Sequence, residues 1–148
     1  MVKTTEFPAE MVLHVNQEID IQAPLAVVFE SLLEQLGPGG DLPNGAPMPM
    51  KLEAWPGGRW FRDLGNNAGH FWGHVQVIKP PTLLEITGPM FMSYPVASHF
   101  QYRLTEQGRG TRLSLLHRAM GLIAPEHREG VTRGYAHIIS RIKARSEK

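Results

Sequence analysis

The spacing of hydrophobic residues changes near the start of the chain. Residues 13–22 alternate between apolar and polar side chains, and Gln17 is the one polar residue on the apolar face. This pattern predicts a half-buried strand. Over 25–36 the apolar residues recur every three or four positions, which predicts an amphipathic helix. Pro24 suits the first turn of that helix and Gly37 suits its C-terminal cap.

The rest of the chain contains a series of short apolar segments separated by turn residues. They predict six strands, at 50–55, 59–64, 70–78, 83–87, 97–105 and 111–117. A long helix over about 125–145 follows, with a stripe of apolar residues along one side. Consecutive strands with short connections favour an antiparallel meander. A strongly curved sheet around the long helix would bury the apolar stripe of that helix.

Two segments between the first helix and the later strands contain many Pro and Gly residues. Pro56 and Gly57 favour a tight turn, so the residues around them predict a β-hairpin. In its second arm either Trp60 or Phe61 faces inward. The other segment, 37–49, contains four Gly and four Pro residues and cannot form regular structure. It is either a cover over a pocket or an ordinary surface loop.

Alternation assigns the inward-facing side chains of the longer strands. On 70–78 it places Phe71, Gly73, Val75 and Val77 inside, and His70, Trp72, His74 and Gln76 outside. On the last two strands it places inside Phe100, Tyr102, Leu104, Thr111, Leu113, Leu115 and His117. The His117 imidazole then either closes the core through a backbone hydrogen bond or lines a pocket. Tyr135, on the stripe of the last helix, needs a partner for its hydroxyl if it is buried.

Composition and charge exclude several classes of function. Lys plus Arg is 15 and Asp plus Glu is 14, and we find no long basic run, so no nucleic-acid partner is indicated. The chain has no cysteine, which excludes disulfides and thiol nucleophiles. His70 and His74 would lie about 13 Å apart on a strand, too far to share one metal ion. We therefore predict no metal site, no cofactor and no catalytic residue set.

Four segments, taken together, resemble a known family. They are IDIQAPLAVVFESL at 19–32, PGGRW at 56–60, WGHVQVIKPPTLLEITG at 72–88 and GTRLSLLHR at 110–118. Their order is similar to that of START-like, birch-pollen-allergen-type domains, and most of all to the branch named after the activator of the heat-shock-90 chaperone ATPase. The resemblance implies an α+β helix-grip fold, in which a curved antiparallel sheet of about six or seven strands wraps around the long C-terminal helix, with a short N-terminal helix. It also implies an apolar cavity between that helix and the sheet.

The function expected from this resemblance is binding of a small hydrophobic or aromatic molecule. The residues predicted to line its site are Trp60, Phe71, Val75, Met90, Phe91, Phe100, Tyr102, His117, Tyr135 and Ile138. One alternative is an enzyme of the polyketide cyclase or hydrolase type that uses polar cavity residues. A second is a chaperone-associated stress-response protein. Because no nucleophile elbow, phosphate loop or dinucleotide motif is present, the sequence favours a binding protein over an enzyme.

The length of the chain and the composition of its N-terminus predict its domain organisation and its location in the cell. We expect a single START-like domain over 1–148, with 1–12 as a loose N-terminal extension. The N-terminus has no apolar core of a signal peptide, and no apolar run approaches the length of a membrane span. We therefore expect a cytoplasmic protein that does not insert into membranes.

Overall fold

A computed structural model describes residues 8–148, which form one antiparallel sheet and two α-helices. The elements are β1 (Val12–Ile21), α1 (Leu25–Leu36), β2 (Lys51–Leu52), β3 (Arg59–Gly65), β4 (Ala68–Lys79), β5 (Leu83–Gly88), β6 (Val96–Gln107), β7 (Gly110–Gly121) and α2 (Pro125–Ser146). A short 3₁₀ helix, Ala9–Met11, precedes β1. Neither α-helix in the described part of the chain combines the length and hydrophobicity needed to cross a membrane.

The seven strands lie in the order β1-β7-β6-β5-β4-β3-β2. Strands β2 to β7 form the predicted meander, and β1 pairs with β7 at the other edge of the sheet. The buried residues of the sheet and of both helices form one hydrophobic core. The α+β helix-grip fold is thus confirmed, with the curved sheet around α2.

Regular alternation predicts the inner face of β6 and β7 correctly. Phe100 pairs with His117 and Tyr102 pairs with Leu115, and all four side chains are buried. Residues that pair directly across antiparallel strands project from the same face. This row is covered by α2, whose buried face includes Val131, Tyr135, Ile139 and Ile142.

Strand β4 departs from the predicted alternation. Trp60 pairs with Gly73, but the next residue of β3, Phe61, pairs with Phe71, so Trp72 is an extra residue in β4. A β-bulge of this kind reverses the alternation of side chains. The inward placement of Phe71 is therefore wrong, since this residue is 45% exposed. The outward placement of Trp72 is also wrong, because its ring packs against the core.

A second bulge lies further along β4. Val75 pairs with Ile86, whereas Val77 pairs with Glu85, which leaves Gln76 as the extra residue. Ile86 is fully buried on the inner face, and Glu85 bonds His99 on the outer face. The prediction that Val75 and Val77 share the inner face is therefore wrong for Val77.

The two tryptophans of the hairpin around Pro56 and Gly57 differ in their exposure to solvent. Gly57 has the positive φ, 83°, that the turn requires. Trp55 is 57% exposed, whereas Trp60 is buried and donates its indole N–H to the carbonyl of Leu36 at 2.7 Å. That bond satisfies a carbonyl at the C-terminal end of α1 and ties the helix to β3.

Residues 1–7 of the predicted loose extension lie outside the described residues. The part that is described contacts α2, because the Arg128 guanidinium donates to the carbonyls of Glu10 and Val12.

We predict that Trp60→Phe lowers the free energy of unfolding by about 1–3 kcal/mol, because it leaves the Leu36 carbonyl without its buried donor. Urea denaturation monitored by circular dichroism measures this change. Trp55→Phe is the matched control and should change stability by less than about 0.5 kcal/mol, since its ring is exposed. Equal effects of the two substitutions would contradict this account of Trp60.

Candidate functional site: a cavity beneath the C-terminal helix

A cavity of about 440 Å³ lies between α2, the inner face of the sheet and two connecting segments. Its sheet wall comes from β3, β4 and β6, and its opposite wall comes from the N-terminal half of α2. The β5–β6 connection and the loop over 37–49 complete the lining. The residues that line it are Asp41, Leu42, Pro43, Met48, Trp60, Trp72, Met90, Phe91, Phe100, Glu126, His127, Gly130, Val131, Gly134, Tyr135, His137 and Ile138.

The predicted site residues divide into two groups. Six line the cavity: Trp60, Met90, Phe91, Phe100, Tyr135 and Ile138. The other four, Phe71, Val75, Tyr102 and His117, do not line it. Phe71 is on the outer face because of the β4 bulge, whereas Val75, Tyr102 and His117 are buried within the core. Ligand binding by the six lining residues stays a prediction.

Aromatic rings form the sheet wall of the cavity. The rings of Trp60 and Trp72 meet edge to face with centroids 5.0 Å apart, and Trp60 meets Phe100 at 6.0 Å. Phe91 extends the row through its contact with Trp72 at 6.1 Å. Such a wall offers both apolar area and π-faces to a guest molecule. Alternation could not identify Trp72, because a bulge is not visible in a hydrophobic pattern.

Two glycines in the helical wall keep the cavity open. Gly130 and Gly134 are four residues apart and therefore lie on one face of α2. A Cβ atom added at either position would meet no heavy atom within 4 Å. Glycine inside a helix costs about 0.5–1 kcal/mol relative to alanine, and no close packing in the described residues requires it here. The sequence contains this signal as two glycines on the apolar side of a helix, although the hydrophobic pattern alone does not identify them.

A buried hydrogen bond joins α2 to the sheet behind the cavity wall. The Tyr135 hydroxyl lies 2.6 Å from Nδ1 of His117, and both side chains are buried. Burial, with a smaller effect of His99, lowers the pKa of His117 to about 4, so its ring is neutral at pH 7. Burial and the nearby Tyr102 raise the pKa of Tyr135 well above its ordinary value. The pair is therefore a neutral imidazole and a neutral phenol.

Three buried polar atoms near this pair have no hydrogen-bond partner: Nε2 of His117, the hydroxyl of Tyr102 and Oε1 of Gln17. They belong to three adjacent strands, and the register places Gln17 and Tyr102 on either side of Leu115. The amide nitrogen of Gln17 donates to the carbonyl of Thr132 at 2.9 Å, which gives α2 a further polar attachment to the sheet. Gln17, the one polar residue on the apolar face of the predicted first strand, therefore binds α2.

The loop over 37–49 is attached to α2 beside the cavity. Asp41 accepts hydrogen bonds from Gln35 and His137 through Oδ1, at 2.9 and 2.8 Å, and from Arg141 through Oδ2 at 3.1 Å. Burial opposes ionisation of Asp41, but these donors outweigh it and keep its pKa below the ordinary value. Arg145 adds a bond to the carbonyl of Gly39 at 2.7 Å. The loop therefore covers one side of the cavity.

A second polar pair lies at the N-terminal end of α2. The Tyr94 oxygen accepts the backbone N–H of Ala124 at 3.2 Å and lies 2.7 Å from Nδ1 of His127. Because the phenol oxygen already accepts one bond, its own proton is available for His127. The His127 ring also meets the Phe91 ring edge to face at 5.1 Å.

Over 8–148, no group of three His, Cys, Asp or Glu side chains is arranged to hold a metal ion. His70 and His74 are both exposed and lie outside the cavity lining.

Comparison with known proteins places the chain in a family. The model of the family described as "Activator of Hsp90 ATPase homolog 1-like protein" matches residues 22–147. The comparison with curated proteins gave no match.

Several solved structures share the fold. Bacillus halodurans protein BH1534 has a TM-score of 0.67 and 18% identity, covering 93% of this chain and 99% of that chain. Ara h 8.0201 has a TM-score of 0.61 and 14% identity, covering 90% and 96%. The di-domain ARO/CYC StfQ from the steffimycin biosynthetic pathway has a TM-score of 0.66 and 12% identity, covering 93% of this chain and 51% of that chain. The present chain thus spans about half of the di-domain protein, and at these identities the likeness shows the fold alone.

The buried His117 predicts a specific pH dependence of stability. An unfolded histidine takes a proton below about pH 6.5, whereas folded His117 does so only near pH 4. Between these values the unfolded state binds more protons, so the free energy of unfolding must fall as the pH falls. We expect a loss of about 3 kcal/mol from this residue between neutral pH and pH 4.

Chemical denaturation at a series of pH values, compared between the wild type and His117→Gln, measures this contribution. The difference in stability between the two proteins should shrink as the pH falls through this window, because glutamine does not titrate. A difference that is independent of pH would contradict the buried, neutral assignment of His117.

Proposed function

We propose that this chain, which belongs to the Activator of Hsp90 ATPase homolog 1-like protein family, binds a small hydrophobic or aromatic molecule in the cavity beneath α2. The observation that carries the proposal is the pair of helical glycines. Gly130 and Gly134 weaken the helix and leave apolar space that an alanine or leucine would occupy. A protein selected only for stability would gain by filling that space.

The size and lining of the cavity support this proposal. Its volume of about 440 Å³ falls in the range of roughly 300–1,000 Å³ typical of small-molecule sites. The wall is mainly aromatic and apolar, with polar groups at a few positions, as such sites require. Met48 and Met90 add flexible apolar side chains that adapt to the shape of a guest.

A second candidate is an enzyme of the cyclase or hydrolase type. The observation in its favour is the contact between Tyr135, which lines the cavity, and His117. Likeness of fold to a di-domain ARO/CYC is consistent with it. The low pKa of His117, about 4, makes the imidazole a weak base at neutral pH. Because a weak base is a poor acid–base catalyst, we favour the binding function over the enzyme function.

Two further expectations stay predictions. The chaperone-associated role rests on the family name alone, and no described residue argues for a particular chaperone surface. The cytoplasmic location rests on the composition of the sequence.

We predict that Gly134→Leu lowers the affinity for a neutral aromatic probe, 1-aminoanthracene, by at least about tenfold, because the leucine side chain occupies the cavity. Fluorescence titration of the purified protein measures the affinity, and circular dichroism verifies the fold. Arg133→Leu is the control, since it adds the same side chain to an exposed position one residue earlier. Equal affinities of Gly134→Leu and the wild type would overturn the proposed site.

A further inference from the structure

The hydrogen bond between Tyr135 and His117 limits which ligands the cavity accepts. A neutral imidazole has one N–H donor and one bare nitrogen acceptor. Nε2 of His117 has no partner, so the position of the single ring proton decides whether a donor or an acceptor is left unpaired. Tyr135 has one hydroxyl proton and lines the cavity. The two protons can therefore be arranged in only two ways.

In the first arrangement, the Tyr135 hydroxyl donates to Nδ1 of His117. The imidazole proton is then on Nε2, where it has no acceptor. In the second arrangement, Nδ1–H donates to the Tyr135 oxygen, and Nε2 is a bare acceptor. The Tyr135 hydroxyl proton is then free to bond a molecule in the cavity. A buried N–H without a partner is rarer in proteins than an unsatisfied acceptor.

A ligand group that accepts a hydrogen bond makes the second arrangement the better one. It takes the Tyr135 proton and leaves only the lone pair of Nε2 unsatisfied. A ligand group that only donates would bond a lone pair of the Tyr135 oxygen and would favour the first arrangement, which keeps the unpaired Nε2–H inside the core. The pair therefore discriminates in favour of acceptors.

The charges around the cavity restrict the ligand further. Among the described lining residues, the only side chains with a full negative charge are Asp41 and Glu126, and no Lys or Arg side chain lines the cavity. A carboxylate ligand would lose its hydration without gaining a Lys or Arg partner. Tyr135 and His117 are both neutral, so they cannot replace such a partner.

We propose that Tyr135 donates its hydroxyl proton to a neutral carbonyl oxygen of the bound molecule, and that the ligand class is a hydrophobic, aromatic-sized ketone, aldehyde or similar carbonyl compound. This inference rests on the proposed function of the cavity. His117 is a positioning residue, since it acts on the ligand only through Tyr135.

The test uses two probes of similar size, 2-acetylnaphthalene and 2-isopropylnaphthalene, of which only the first has a carbonyl group. Displacement of 1-aminoanthracene measures the affinity of each for the wild type and for Tyr135→Phe. We expect the substitution to weaken 2-acetylnaphthalene roughly five- to tenfold, as the loss of one hydrogen bond requires. The affinity for 2-isopropylnaphthalene should change by less than about twofold, since it forms no such bond.

A second measurement needs only the wild-type protein, so it remains valid if the variant fails to fold. ¹⁵N NMR of the His117 ring distinguishes protonated Nδ1 from protonated Nε2. Saturation with 2-acetylnaphthalene should place the proton on Nδ1, whereas 2-isopropylnaphthalene should leave the unliganded spectrum unchanged.

The possible results distinguish a failure of the carbonyl assignment from a failure of the proposed binding function. If 1-aminoanthracene binds in the cavity but the ketone fails to displace it, the carbonyl assignment is overturned and the binding function survives. The same holds if the ketone binds with the proton on Nε2, or if Tyr135→Phe weakens both naphthalenes equally. If none of the three probes binds, the proposed function fails and the carbonyl assignment fails with it.

Discussion

The long helix α2 packs on the inner face of a seven-stranded sheet, but it fills the space beneath it along only part of its length. In its C-terminal half, Ile139 and Ile142 are buried in ordinary core packing. In its N-terminal half, Gly130 and Gly134 present no side chain toward the sheet wall. Because the same helix closes the core and bounds the cavity, the position of α2 determines both the stability of the fold and the size of the cavity.

Polar contacts fix that position where apolar packing is missing. Gln17 bonds the backbone of α2 at Thr132, and His117 bonds Tyr135 one turn further along. Beside the cavity, Asp41 of the loop over 37–49 bonds His137 and Arg141 of α2. The Tyr135–His117 bond is buried, so breaking it leaves unsatisfied groups at high cost. The Asp41 bonds are partly buried and the Gln17 bond is exposed, and such bonds each contribute modestly to net stability. They therefore hold the helix at a distance from the sheet that hydrophobic collapse alone would not preserve.

The fold and part of the cavity were predictable from the sequence because most elements follow their ideal periods. β6 and β7 alternate without interruption, so Phe100 and His117 were correctly placed on the inner face. β4 contains two bulges, and each extra residue reversed the assignment beyond it. Phe71 was therefore placed inside and Trp72 outside, the reverse of their observed positions.

Other parts of the site depend on tertiary contacts that no local pattern encodes. Asp41 lies in a loop rich in Gly and Pro, and its partners His137 and Arg141 are about a hundred residues away on α2. His127 likewise meets Tyr94 only because the β5–β6 connection packs against the start of α2. Gly130 and Gly134, unlike Asp41 and His127, can be recognised from the sequence. Their spacing of four residues places both on one face of α2, where the absence of side chains leaves space.

The most direct test of a ligand-binding site beneath α2 is to locate a bound aromatic molecule by NMR. With 1-aminoanthracene bound to the wild-type protein, intermolecular NOEs should connect the probe to the α-protons of Gly134 and to the Trp72 indole. NOEs only to exposed side chains of the outer face, such as Phe71 and Leu64, would show that the molecule binds elsewhere and would contradict the account.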